Sequence, residues 1–205
     1  MVENCFKKHY PEYYPLVLTA FRTGLRIGEL LALQWQDIDF RNRLISVTRN
    51  IAAGRITTPK SRSGIRQVRM TTQLTNELKR VLKARKEEKL KKGWPEIPEW
   101  VFCNDRGKPL NYNNFLKRVW NKAMEKTDLR KRTPHDMRHT YATLRLSKGD
   151  SLAEVSKEMG HSSSDITYRT YYKWLPKESR TDIDELDNVQ PDATYTQPAT
   201  KKGLG

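Results

Sequence analysis

Long apolar runs are missing from this 205-residue chain; none approaches the roughly 18 residues of a membrane-spanning helix. The first ten residues, MVENCFKKHY, hold no apolar signal-peptide core, so the expectation is a cytosolic chain. Cysteine is scarce too. Cys5 and Cys103 lie far apart and form no C-x-x-C pair, which removes zinc ribbons and disulfide scaffolds and leaves two ordinary thiols. Acidic residues are outnumbered: 24 Asp and Glu face 39 Lys and Arg, a formal net charge of +15. That excess points to a polyanionic partner, nucleic acid before an anionic membrane. The acidic cluster DID (37–39) has no third carboxylate at a recognisable spacing, so a metal nuclease is not supported.

What is present suffices for one domain with a real core and flanking segments. Residues 176–205 carry four basic and six acidic side chains and few large apolar ones. They read as a mostly unpacked tail, and the body over 1–175 then holds a charge of +17. In that body, YPLVLTAF (14–21) is a helix with Pro15 in its first turn, broken at Thr23-Gly24, and LRIGELLALQW (25–35) is a second. LISVTRNI (44–51) reads as a strand, and RITTPKSRSGIRQVRM (55–70) as two extended arms around the loop PKSRSG, together a small antiparallel sheet. From Thr72, Leu74, Leu78, Val81 and Leu82 follow helical spacing, as do Phe115, Leu116, Val119 and Ala123. A short extended piece (100–110) lies between them, and three more helices begin at Pro134, at Ser151 and near Ser163. The fold class is therefore mostly α, with a small β part.

The stretch TPHDMRHT (133–140) makes Thr133 an N-cap and Pro134 the first helical residue, so that His135, Arg138 and His139 share one face. H-x-x-x-H is a zinc spacing, but Arg138 on the same face repels a divalent cation, and no metal is expected. An anion at the helix N-terminus fits better. Arg26, in TGLRIGEL, sits in a first turn where the helix dipole disfavours a cation by about 0.3–1 kcal/mol; an anion nearby explains this, and so does pairing with Glu29. Lys60 tips the hairpin loop with Arg62 beside it. His161 follows Gly160, and Tyr168, Tyr171 and Tyr172 lie at i, i+3 and i+4, a spacing that in most chains is core. Arginines, a lysine, histidines and a tyrosine suit phosphodiester transfer to tyrosine, whose transition state gathers negative charge while a lysine protonates the leaving oxygen.

These motifs carry a resemblance. TGLRIGELLALQWQDIDF, TPHDMRHTYAT and MGHSSSDITYRTYYKW, in this order over roughly residues 11–176, resemble the arginine, H-x-x-R and closing G-H-tyrosine motifs of the tyrosine recombinases, the phage integrase family. The resemblance implies a helical catalytic domain of the tyrosine recombinase type with a small three-stranded antiparallel sheet. It implies that Arg26 and Arg138 hold the scissile phosphate, that His135 and His161 serve hydrogen bonding and proton handling there, that Lys60 is the general acid, and that Tyr171 is the nucleophile, with Tyr168 and Tyr172 as competitors. Arg62, Arg66, Arg132 and His139 are the expected further DNA contacts.

The implied reaction leaves a 3′-phosphotyrosyl link and a free 5′ hydroxyl, with neither metal nor cofactor. The implied setting is bacterial or phage-encoded, cytoplasmic and nucleoid-associated. The partners are double-stranded attachment sites, with a monomer when free and four protomers on synapsed DNA, and the tail is a candidate for exchange between protomers. No N-terminal clamp domain is evident, so an excised catalytic domain with weak DNA affinity is expected. Arg138→Ala is expected to abolish cleavage with little loss of fold. Two other readings stay open: a helix-turn-helix regulator built on 152–171, and a strand transferase of the type IB topoisomerase kind.

Overall fold

The run Leu16–Ala20 is apolar enough to need cover on several sides, and the fold supplies it. The computed structural model describes residues 1–59 and 62–175, so the expected tail from 176 onward lies outside the described residues. Helix α1 (Val2–His9) leads into α2 (Tyr14–Thr23), where Leu16, Val17, Leu18 and Ala20 are buried. Gly24 ends α2 at φ 63°, and a Cβ there would lie 2.4 Å from the ring of Tyr141, so glycine is required both by the turn and by the close approach.

The second helix is shorter than the leucine density predicts. α3 covers Ile27–Leu31 only, and a 3-10 turn, Trp35–Asp37, follows. Asp37 explains the early break: its Oδ2 accepts the Gln34 N–H at 2.9 Å and starts a new turn, while Arg49 clamps the same carboxylate at 2.5 Å.

The strands differ from expectation in their pairing. β1 (Ile38–Asp39), β2 (Leu44–Val47) and a later strand form the three-stranded antiparallel sheet, but the chain between folds on itself as a separate hairpin, β3 (Asn50–Ala52) with β4 (Arg55–Thr57). The last strand, β5 (Arg66–Arg69), pairs with β2 and sets Ile45 against Val68. The arms flanking PKSRSG thus belong to different sheets. The cause is local: Ala53 and Gly54 both take positive φ, 48° and 75°, the backbone of a two-residue hairpin turn.

α4 (Thr72–Lys92) is capped by Thr71, whose hydroxyl accepts from Leu74 N at 3.2 Å, and it buries Leu74, Thr75 and Leu78. Beyond the bridged segment at Trp100–Cys103, α5 (Tyr112–Asn114), a π turn (Phe115–Trp120) and α6 (Asn121–Glu125) run on continuously and bury Phe115, Val119, Trp120 and Ala123. α7 (His135–Ser147) packs across α2. α8 (Leu152–Met159), α9 (Ser164–Tyr171) and a 3-10 turn (Tyr172–Trp174) close the described body. A second, smaller core joins Tyr141, Ala142 and Leu146 of α7 to Val155, Met159 and Tyr171. α7, α8 and β5 are tied by the Glu158 carboxylate, which takes bonds from Tyr141, Arg145 and Arg69.

Candidate active site

A helix ends with carbonyls that have no partner inside it. At the end of α8 three arginines supply the donors, each from a different part of the chain. Arg66 Nε donates to Glu158 O at 2.5 Å, Arg138 Nη2 to Met159 O at 2.7 Å, and Arg26 Nη2 to Gly160 O at 3.2 Å. Cations also suit the negative end of the helix dipole. Residues separated by more than a hundred positions in sequence are thereby gathered around one helix terminus, and His161 follows directly.

Two of the three guanidinium groups, those of Arg66 and Arg26, share one buried carboxylate, and the third, Arg138, lies within its field. Glu29 bonds Arg66 through both oxygens, at 3.0 and 2.9 Å, and Arg26 at 3.0 Å, and its Oε2 also accepts the Arg26 N–H at 2.8 Å. Arg26 is therefore the extended residue preceding α3, not part of its first turn. Burial alone would raise the Glu29 carboxyl, but the Arg66 hydrogen bonds and the two cations hold it below the usual carboxylate range. Three cations against one anion leave the cluster positive by two. Arg138 registers that excess: burial, and then the neighbouring Arg26 charge, push it down to about 10. An anion bound here would relieve the repulsion.

Accessibility differs among the three. Arg26 is 41% exposed, whereas Arg138 is 3% exposed, with Nη1 bound to Gly24 O at 2.6 Å. Arg66, expected among the DNA contacts, is turned inward: its guanidinium is spent on Glu29, Glu158 and Gly64, so it braces the site from behind. Arg132 remains half-exposed, 3.6 Å from Asp136. Lys60 lies outside the described residues, and Arg62 falls in the 3-10 turn Arg62–Gly64 that leads into β5.

The three candidate site histidines fall on α7 and in the turn between α8 and α9. α7 presents His135 and His139 on one face, their rings edge to face at 4.7 Å. His161 is fixed by Nδ1 against the Thr167 hydroxyl at 2.7 Å. Burial, and then Arg138, Arg26 and Arg66, push it down to about 4, so it is a neutral imidazole at neutral pH. His135 is lowered by the same kinds of cause, burial first. Thr133 and Asp136 brace the start of α7, the Asp136 carboxylate accepting from both the N–H and the hydroxyl of Thr133.

Of the three tyrosines, Tyr171 is the one drawn into this site. It is 3% exposed, whereas Tyr168 and Tyr172 are each 50% exposed and lean on one another. The Tyr171 hydroxyl lies 2.7 Å from Nδ1 of His139. Burial pushes its phenol up, against the pull of the Arg138 charge. The contact with His139 was not foreseen from sequence; the i, i+4 histidine pair on α7 was the signal available. Among the described residues there is no group of three or more His, Cys, Asp or Glu side chains that could hold a metal ion, and no helix long and apolar enough to cross a membrane.

Known proteins show the same architecture. The family model described as the phage integrase family matches residues 1–178. The chain is 34% identical over 85% of its length to a "Tyrosine recombinase XerC-like" protein of Caldanaerobacter subterraneus subsp. tengcongensis, covering 49% of that protein. A solved structure of the Tn1549 transposon integrase in complex with circular intermediate DNA superposes with a TM-score of 0.67 at 30% identity, over 88% of this chain and 59% of that one. The catalytic domain of bacteriophage HP1 integrase, at 16% identity, shares the fold over 96% of this chain and 92% of its own, with a TM-score of 0.58. The chain spans about half the length of the curated relatives it matches. With a positive cluster that joins three distant arginines, a tyrosine seated beside it and a family match over nearly the whole described body, the chain belongs to the phage integrase family.

Proposed function

We propose that this chain is the catalytic domain of a site-specific DNA recombinase of phage or mobile-element type, cutting and rejoining strands through Tyr171. The observation that carries the reading is the convergence of Arg26 and Arg138, two positive charges beyond what Glu29 balances, next to the buried hydroxyl of Tyr171. A phosphodiester supplies the missing anion, and its non-bridging oxygens gain charge as the tyrosine attacks.

The step balances without an external energy source. The Tyr171 phenol gives its proton to a base in the site as its oxygen bonds to phosphorus, the bond to the 5′ oxygen breaks, and that oxygen takes a proton, with Lys60 as the donor; on rejoining, both protons go back. A 5′ hydroxyl from a second strand then attacks the phosphotyrosine, restoring the phosphodiester and the phenol. His161, neutral and anchored to Thr167, is suited to donate a hydrogen bond to a phosphate oxygen. The partners in this reading are double-stranded attachment sites held by four protomers, in a bacterial or phage setting at the nucleoid.

Covalent capture tests it. Wild type and Tyr171→Phe are each incubated with fragmented, nicked genomic DNA and denatured, and the protein-linked ends are sequenced. Adducts with wild type alone are the expected result, and they reveal the preferred site. Equal adducts in both, or adducts lost in Tyr172→Phe instead, would overturn the assignment of Tyr171.

A further inference from the structure

A buried tyrosine attacks phosphorus only after it loses its proton, and the Tyr171 phenol is held above its ordinary value. The proton needs an acceptor within hydrogen-bond reach. Of the two histidines assigned to proton handling by resemblance, His161 has its Nδ1 committed to Thr167, and His135 meets His139 rather than the tyrosine. The group at the Tyr171 hydroxyl is Nδ1 of His139, at 2.7 Å, with the two ring centroids 5.7 Å apart.

We infer that His139 is the catalytic base for the nucleophile: its Nδ1 takes the Tyr171 proton as the phenol oxygen bonds to phosphorus, and the imidazolium returns that proton when the strand is rejoined. The inference rests on the recombinase reading and deepens it. It gives His139 a role at the reacting oxygen in place of a DNA contact.

The surroundings fit that task. In the tautomer that carries its proton on Nε2, Nδ1 accepts the phenol O–H, and the bond then points the proton along the transfer path. Once formed, the imidazolium has Asp136 on its own helix as a counter-charge and stands near the phosphate that is gaining charge. His139 and Tyr171 both line an open cavity of about 880 Å³, wide enough to admit a small external base. The charged side chains that line the same cavity are Glu3 on α1, Arg22 on α2, Arg130 and Arg132 from the segment before α7, and Asp136 on α7.

The test uses the DNA sequence captured by wild type, remade with a sulfur in place of the 5′ bridging oxygen at the cut. That leaving group needs no acid, so the rate of adduct formation reports removal of the tyrosine proton. His139→Asn keeps an acceptor at the position of Nδ1 but cannot take the proton, and His139→Ala opens the site. His139→Asn is expected to bind this DNA as wild type does but to form adduct on the order of 10²-fold more slowly at neutral pH. Its rate should climb by about tenfold per pH unit as phenolate forms unaided, a slope that wild type lacks. Added imidazole should restore much of the rate in His139→Ala.

A His139→Asn variant as fast as wild type, or faster, would overturn the proposal, the second result meaning that the bond merely holds Tyr171 back. A slow variant with the wild-type pH profile and no imidazole rescue would reduce His139 to packing and overturn it equally. Failure of the recombinase reading looks different: wild type itself then forms no adduct that Tyr171→Phe lacks, and both conclusions fall together.

Discussion

Arg66 and Glu29 meet in a two-bonded pair, Nη1 on Oε1 at 3.0 Å and Nη2 on Oε2 at 2.9 Å, with both side chains 3% exposed. The pair joins β5 to α3, and the same carboxylate also bonds Arg26. Removing one partner leaves the other as a buried, unbalanced charge. Glu29→Gln is therefore expected to destabilise the fold by about 3–5 kcal/mol, read from the midpoint of a urea unfolding curve. A midpoint unchanged from wild type would mean that the pair does not form in solution.

Arg138 carries structural weight that sequence did not reveal. Its two bonds to Gly24 O and Met159 O tie the end of α2 to the end of α8. The expected small loss of fold on Arg138→Ala does not hold for a side chain this deeply buried. Each carbonyl left without a donor costs about 1–3 kcal/mol, so the alanine variant should unfold at clearly lower urea concentration as well as lose cleavage. Arg138→Lys keeps a donor for one carbonyl and should recover part of the stability while remaining poor in adduct yield, because a lysine cannot reproduce the planar fork. Comparing unfolding with adduct yield in the two variants separates the roles.

Apolar spacing makes α2, α4 and the helices after Pro134 legible from sequence, since each buries one face of a periodic run. Motif order singles out Arg26, Arg138, His161 and Tyr171 as candidates. Direction is what a sequence hides. Arg66 reads as one more cation beside a basic loop, and only the placement of Glu29 and of the α8 terminus turns it inward. The β3–β4 hairpin escapes because Ala53 is an unusual residue for positive φ, so the turn lacks the Asn-Gly signature. His139 escapes because its partner lies 32 residues away on another helix.

Gly160 ends α8 at φ 68°, and a Cβ there would lie 2.8 Å from Nη1 of Arg66. Gly160→Ala should cost about 1–2 kcal/mol for the left-handed backbone alone, plus the displacement of Arg66. Because Gly160 O also accepts from Arg26, adduct yield should fall with stability. Gly93 ends α4 at φ 65° with nothing within 4 Å of the added carbon, so Gly93→Ala isolates the backbone cost. A larger drop in melting temperature for Gly160→Ala than for Gly93→Ala is the expected result; equal drops would show that Arg66 moves aside freely.

His161 should make the fold sensitive to mild acid. Its folded value is pushed down to about 4 from an ordinary 6.5, because burial and three arginines oppose a charged ring. Between those values the unfolded chain binds a proton that the folded chain refuses, so stability rises with pH across that window and is lost as pH falls through it. His135, also lowered, acts in the same direction. The carboxylates act lower down: Glu29 and Glu158 are held below the ordinary 4.5, so the stability they confer is complete above that value and is lost beneath it. Melting temperatures taken from about pH 7 down to about pH 5 therefore isolate the histidines. Wild type should melt progressively lower over that range, and His161→Asn, which keeps a polar group near Thr167 without a titrating ring, should show a shallower decline. Parallel curves for the two proteins would mean that His161 takes up a proton as readily in the folded state as in the unfolded one, and that the three arginines do not reach it.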